Sequence, residues 1–350
     1  MTRKRPDDTE GVESLNAMAA EERAEREKRG RVIAEQRYQD ARRRLLEFDT
    51  QERVLEELDR RRISGHSRRK SKLETGNSTA VLCCTDWHAE ENVDPATING
   101  KNEFNLEVCA ARIGRVWDKT VELICALRSF TKIQNLVLWL GGDLINGYIH
   151  EELEESNFLG PAEAIDFVEG HLCDGIATLR KHLKMPITVL GNWGNHGRST
   201  KKRRVSTGAA SSWEYLCYRH LQRVHQSQPG VDVLSTKGYH WLWDVQGHRV
   251  RFHHGDNIRY QGGVGGITIP VNKAIAQWNK ANAVACDIFG HWHQYMEDWR
   301  FVSCGCLVGY NAYAESIKAD CQDPSQTLVV FSAHRGKCMA LPIYVEPSKK

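Results

Sequence analysis

No stretch of this 350-residue chain approaches the roughly 20 consecutive apolar residues that span a bilayer, and the N-terminus is charged, without a signal-peptide core. A membrane-embedded or secreted protein is not expected, and the chain reads as cytoplasmic. Cys-x-x-Cys is also missing. The eleven cysteines are scattered, the closest being Cys83-Cys84 and Cys304-Gly305-Cys306, and several sit inside apolar runs. Buried thiols in a reducing compartment fit that usage better than disulfides or a zinc ribbon. A spaced-glycine phosphate loop is lacking too. Gly262-Gly263-Val264-Gly265-Gly266 matches no such spacing, and the helix behind it is expected only after Pro270, so it reads as a mobile rim. Net charge is close to absent at +3, and the excess lies in residues 1–75, which carry 20 basic against 17 acidic residues. The remainder is balanced, so local charge says more about partners than the total does.

What is present falls into two regions. Residues 1–75 read as a charged helical arm with a basic linker: Gly11 to Ile63 is dense in Glu, Arg and Ala, has no proline, and its sparse apolar residues keep no heptad register for long. A solvated helix, or less readily a short coiled coil offering a protein partner or self-association, follows from that pattern. Arg68-Arg69-Lys70 with Lys72 serves either to solubilise the linker or to touch a phosphate backbone. Residues 76–350 have a hydrophobic content that suits a substantial core, the whole chain being 41% hydrophobic.

In that second region five polar clusters each close an apolar run that reads as a buried strand. Asp86-Trp87-His88 follows Ala80–Cys84, Gly142-Asp143 follows 135–140, and Gly194-Asn195-His196 follows 187–190. His253-His254 ends Val250–Phe252, and Gly290-His291-Trp292-His293 ends 283–289. Asp-x-His and His-x-His put both side chains of a pair on one face of an extended chain. Carboxylates, imidazoles and one amide oxygen together suit a pair of divalent transition ions. Helices are expected near 106–130, 162–183 and 271–282, with another around Trp213 to Leu221. Strand, helix, strand with ligands at the strands' C-terminal ends is a doubly wound α/β arrangement, and the second half is richer in strands.

The five motifs, in this order, resemble the calcineurin-like metallophosphoesterases over roughly residues 79–346. The resemblance implies an α/β fold, a four-layer α-β-β-α sandwich of two mixed sheets. It also implies two divalent ions, Mn2+ foremost with Zn2+, Fe2+ or Mg2+ as alternatives. One would be held by Asp86, His88, Asp143 and His293, the other by Asp143, Asn195, His254 and His291. A hydroxide bridging the metals would attack phosphorus in line, and His196 would face the scissile phosphate. His254 is chosen over His253 because the family's histidine directly precedes Gly-Asp. Two positions depart from the pattern. Gly197 stands where an acidic residue usually follows Asn-His, and Asn146 stands where phosphoprotein phosphatases have an aspartate supporting the catalytic histidine.

The substrate is read from what surrounds the motifs. Arg198, Lys201, Lys202, Arg203 and Arg204 follow the catalytic motif directly, which favours a polyanionic chain. Trp87, Trp193 and Trp292 either pack beneath the ligands or stack bases. The leading expectation is a DNA nuclease of the family's nuclease branch, similar to the catalytic subunits of SbcCD-type repair exonucleases and their phage-encoded relatives. A phosphomonoesterase or small-molecule phosphodiesterase, with Glu151 to Glu155 as an acidic cap, and an assembly subunit working through the arm remain as alternatives.

Overall fold

The computed structural model describes residues 77–260, 266–316 and 318–346, together with Lys28, Gln36 and Gln39. The chain divides into two units at Leu73 and Glu74. The expected helical arm, its basic linker and Gly262–Gly265 of the rim lie outside the described residues, apart from those three positions.

The second unit is built on two mixed sheets. The first has six strands: β1 (Asn77–Cys84), β2 (Lys132–Leu140), β3 (Ile187–Gly191), β4 (Val231–Ser235), β10 (Ser325–Ser332) and β11 (Gly336–Tyr344). They run in the order β11-β10-β1-β2-β3-β4, with β1 to β4 mutually parallel, β10 antiparallel to β1, and β11 antiparallel to β10. The second sheet holds β5 (Trp241–Val245), β6 (His248–His253), β7 (Cys286–Phe289), β8 (Met296–Glu297) and β9 (Phe301–Ser303) in the order β5-β6-β7-β9-β8. There β6, β7 and β9 are parallel.

Side-chain alternation decides the layers. Ala80, Leu82 and Cys84 of β1 face the helices α1 (Leu106–Leu127), α3 (Pro161–Leu183) and α4 (Trp213–His225), while Val81 and Cys83 face the other sheet. Val250, Phe252, Ile288 and Val302 meet them there. Phe289 and Phe301 point the opposite way, against Val271 and Ile275 of α5 (Thr268–Trp278). The result is the expected four-layer α-β-β-α sandwich. Caps fix the helix starts: Asn105 accepts from Val108 N at 3.0 Å, Ser212 accepts from Tyr215 N, and Pro161 opens α3. Short helices α2 (Glu151–Ser156) and α6 (Ala312–Ser316) complete the described α-helices. No helix among the described residues is long and apolar enough to cross a membrane.

Two details differ from the sequence reading. The last long helix begins at Thr268, with Pro270 inside its first turn, where a missing N–H costs no helical hydrogen bond. The strands β4 and β8 were not expected: β4 is a short sheet edge and β8 spans two residues.

Candidate metal centre

Each of the five motifs sits at the C-terminal end of a parallel strand, three from the first sheet and two from the second. The strands end, and the chain turns sharply. Asp86, His88, Asp143, His291 and His293 all adopt left-handed backbone, with φ between 47° and 70°. Non-glycine residues reach that region only where the surroundings over-determine it, and here the turns aim side chains inward. Backbone bonds lock the loops together: Asp86 N donates to Gly142 O, His88 N to Asp143 O, and Gly290 N to His254 O. A Cβ on Gly194 would lie 2.1 Å from Asp143 Oδ1, so only glycine lets the Asn195 loop approach the Asp143 loop this closely.

The seven expected ligands converge. Asp86, His88 and His293 bring one donor atom each to within 4.8 Å of one another, and so do Asp143, His254 and His291. A third such group, His88, Asp143 and His196, overlaps both. Asp143 lies between the two sets. Its Oδ2 is 2.9 Å from His254 Nε2, which is in turn 3.1 Å from Asn195 Oδ1.

The tautomers fit cation binding. His88 Nδ1 is 2.9 Å from Asn146 Oδ1 and His254 Nδ1 is 2.9 Å from Gly141 O. Both partners are acceptors, so each Nδ1 carries a hydrogen and each Nε2 points inward, where it offers a lone pair once it carries no proton. His88 Nε2 then faces His293 Nε2 at 3.1 Å, and His254 Nε2 faces the oxygens of Asp143 and Asn195. Without a metal a proton occupies each gap, since the His254 and His293 pKa values are both raised, and a divalent cation would take the proton's place. Oxygen and imidazole donors without a thiolate among them match Mn2+, Fe2+, Zn2+ or Mg2+ rather than a soft ion.

Titration follows the same logic. Burial lowers His88 to about 3, helped by His196 and His293, and lowers His291 to about 4, helped by His254. Burial opposes a charge on His254 as well, yet the Asp143 carboxylate raises its pKa to about 10. Asp143 itself is held well below the carboxylate range: burial works against it, and His254 and His196 overrule burial. A proton and a divalent cation thus compete for the space between Asp143 and His254.

His196 stands edge-on to His88, ring centres 4.6 Å apart, with Nδ1 donating to the carbonyl of Asn146 at 2.8 Å. Asn146, at the position where an aspartate would support the catalytic histidine, uses its side chain to orient His88 and to donate to Asn157, and only its backbone carbonyl meets His196. A carbonyl stabilises a protonated imidazole less than a carboxylate does, and burial keeps the His196 pKa below its ordinary value.

Two buried carboxylates that sequence reading missed hold the loops. Glu90 accepts from Asn146 N and Gly147 N at 2.9 and 2.7 Å. Glu214, on α4, accepts from Leu144 N and Gly194 N, both at 2.7 Å, and so joins the Asp143 loop to the Asn195 loop. Burial, then Asp143, pushes Glu214 up to about 8. Glu214 also explains Gly197. A Cβ there would lie 2.7 Å from Glu214 Cγ, so the space an acidic side chain at 197 would enter is filled by a carboxylate from another element.

The remaining sequence candidates separate. His253 turns away from the centre, stacks on Phe289 and lies 3.5 Å from Asp287, which pairs with buried Arg251. Arg198 spends its guanidinium on the carbonyls of Asn195 and Thr200, at 2.6 and 3.0 Å. Arg203 pairs with Asp256 at 2.9 Å. Both are parts of the loop's own scaffold, while Lys201, Lys202 and Arg204 are exposed. Trp87 and Trp193 are buried, Trp87 donating to Gln326, so these two pack beneath the ligands; Trp292 is half-buried.

No family model and no curated protein matches the sequence. Solved structures share parts of the fold. Vps29 with Zn2+ from Entamoeba histolytica is 13% identical over 75% of this chain and 99% of that one, with a TM-score of 0.31. A predicted phosphoesterase from Streptococcus pneumoniae is 10% identical over 76% and 98%, with a TM-score of 0.27. The sulfate thiohydrolase SoxB from Thermus thermophilus is 8% identical over 76% and 56%, with a TM-score of 0.29. At these identities and scores the likenesses carry no weight for function.

Proposed function

We propose that the chain is a metal-dependent phosphodiesterase acting on nucleic acid, DNA foremost. The observation that carries this is the two Asp/His groups, Asp86 with His88 and His293 and Asp143 with His254 and His291, linked by a third that joins His88 to Asp143 and His196, with exposed Lys201, Lys202 and Arg204 in the adjoining loop. Asp86, His88, Asp143 and His293 would hold one ion, and Asp143, Asn195, His254 and His291 the second. Two divalent ions at such a centre supply charge for a phosphoryl transition state and acidify water toward neutral pH. Manganese is the first choice because carboxylate and imidazole donors are mixed.

The chain's own residues do the rest. Asn146 and Gly141 fix the tautomers of His88 and His254 so that lone pairs face inward. Glu90 and Glu214 keep three loops in register. His196, its Nδ1–H held by a carbonyl, would present Nε2 to the reacting phosphate, accepting there in its neutral form and donating to the leaving oxygen only as the imidazolium. The exposed cations neutralise the flanking phosphates.

A second reading, a phosphomonoesterase, is favoured by one feature. Glu151, Glu152, Glu154 and Glu155 of α2 are exposed only a few residues beyond Asn146 and would repel a long polyanion. A manganese-supplemented digestion panel decides between them: single-stranded DNA, blunt duplex, closed circles and RNA, beside chromogenic mono- and diesters. Cleavage of DNA that His196→Ala abolishes is expected. Monoester hydrolysis without any nucleic-acid cleavage would favour the second reading.

A further inference from the structure

A groove of about 430 Å³ runs beside the metal centre and was announced by no motif. Its floor is the turn that ends in Ser211 and Ser212, and its wall is a face of α4 carrying Trp213, Tyr215, Arg219 and Arg223. Ser211 and Ser212 also line a smaller cleft that reaches Asn195 and Arg204, so the two depressions adjoin along those serines. The cationic loop is pinned to this floor, since Ser199 N donates to Ser211 O at 2.7 Å and Arg198 bridges to Ser212.

The chemistry of the wall is one-sided. Neither depression is lined by a carboxylate. Glu169 of α3, which meets α4, is taken up by His220. Arg219 and Arg223 are exposed, Trp213 and Tyr215 half-buried. Tyr215, Arg219 and Arg223 recur every fourth residue, which places them in a row along α4 at intervals of roughly 6 Å. Next to them Leu216 is 53% exposed, a large apolar surface on the same wall.

We propose that this groove is a binding track for single-stranded nucleic acid, extending from the rim of the metal centre along α4. Arg219 and Arg223 contact successive phosphates, and the Tyr215 ring takes the face of an unpaired base. Ring stacking requires an unpaired base, which is why the occupant is a single strand and not a duplex. The proposal rests on the nucleic-acid reading of the metal centre, and names surface outside the cationic loop that this reading uses.

The test uses the full chain and its Arg219→Gln/Arg223→Gln variant, both positions being exposed. Binding of a labelled 20-mer single strand is followed by anisotropy in EDTA across a salt series, with a blunt duplex of equal length as competitor. Manganese-dependent hydrolysis of bis(p-nitrophenyl) phosphate is measured alongside. The wild-type protein is expected to bind the single strand, and the variant to bind it about tenfold or more weakly, its salt slope smaller by about 1.4 for two lost phosphate contacts. Turnover of the small diester should stay within twofold. Wild-type binding with an unchanged affinity and slope in the variant would overturn the track while leaving the proposed function standing. Loss confined to the duplex would overturn the choice of a single strand. A wild-type protein that hydrolyses the diester but binds no nucleic acid would overturn both the track and the nucleic-acid reading.

Discussion

Glu214 offers the sharpest perturbation of the centre, because it touches no reacting atom and yet spans two loops that do. In Glu214→Ala the N–H groups of Leu144 and Gly194 lose their acceptors inside the protein. Each buried donor left without a partner costs roughly 1–3 kcal/mol, giving about 2–6 kcal/mol for the pair. Against a total stability of about 5–15 kcal/mol that is a large fraction, and it corresponds to a melting point lower by roughly 5–20 °C. Gly197 makes the account specific. Gly197→Ala alone drives a Cβ to 2.7 Å from Glu214 Cγ, and Glu214 cannot swing aside without releasing two hydrogen bonds. Overpacking of this kind costs about 1–3 kcal/mol. In the Glu214→Ala background the obstacle is gone, so the same substitution should cost almost nothing, and Gly197→Glu there should restore part of the melting point and of the manganese affinity. The assay is thermal unfolding with and without manganese for the four members of the cycle. Additive losses, within about 0.5 kcal/mol, would refute the idea that position 197 and Glu214 compete for one space.

Other expectations follow from the same geometry. His88→Ala and Asp143→Asn should each abolish metal-dependent turnover, read with a chromogenic diester, whereas His196→Ala should lower turnover by about 10²–10⁴ and leave manganese affinity within a few-fold. In metal-free protein the raised His254 pKa stabilises the fold fully below about 6.5 and loses that contribution as pH rises through about 10, so the urea midpoint should fall across that window. Loading the ions should release about two protons per chain near neutral pH, one from His254 and one from His293, whose pKa values are both raised, measured by calorimetry in buffers of different ionisation enthalpy; no buffer dependence would contradict the competition between proton and cation. Neutralising Lys201, Lys202 and Arg204 should flatten the salt dependence of oligonucleotide binding while sparing small esters, and neutralising Arg198 should instead destabilise the loop, seen as a lower melting point.

The parts of the fold that were legible are those where chemistry punctuates hydrophobicity. Ala80 to Cys84 ends in Asp86 and His88, and 187–190 ends in Asn195, because a parallel strand buried on both faces must be apolar until its C-terminal end opens into a loop. The two neighbouring histidines differ in placement: His254 faces Asp143, and His253 faces Asp287. What was not legible is tertiary in origin. Glu214 stands twenty residues beyond the Gly194 amide it accepts from and seventy beyond that of Leu144, and no spacing records a carboxylate meeting a backbone N–H. Glu90 lies two residues beyond His88, but Asp86 and His88 sit in left-handed turns and not in an extended strand, so the two-residue spacing says nothing of where Glu90 points. The cationic run looked uniform in sequence, but Arg198 and Arg203 have partners within reach and Lys201, Lys202 and Arg204 face solvent. The row of Tyr215, Arg219 and Arg223 became meaningful only once α4 was seen against the loop it flanks.

The most direct test of the central claim is an electron paramagnetic resonance titration of the metal-stripped protein with Mn2+, on the wild type and on Asp143→Asn. The shared position of Asp143 predicts two ions per wild-type chain with the signature of an exchange-coupled pair, and loss of that coupling in the variant. A single uncoupled ion in the wild type, or a coupled pair that survives Asp143→Asn, would contradict the account.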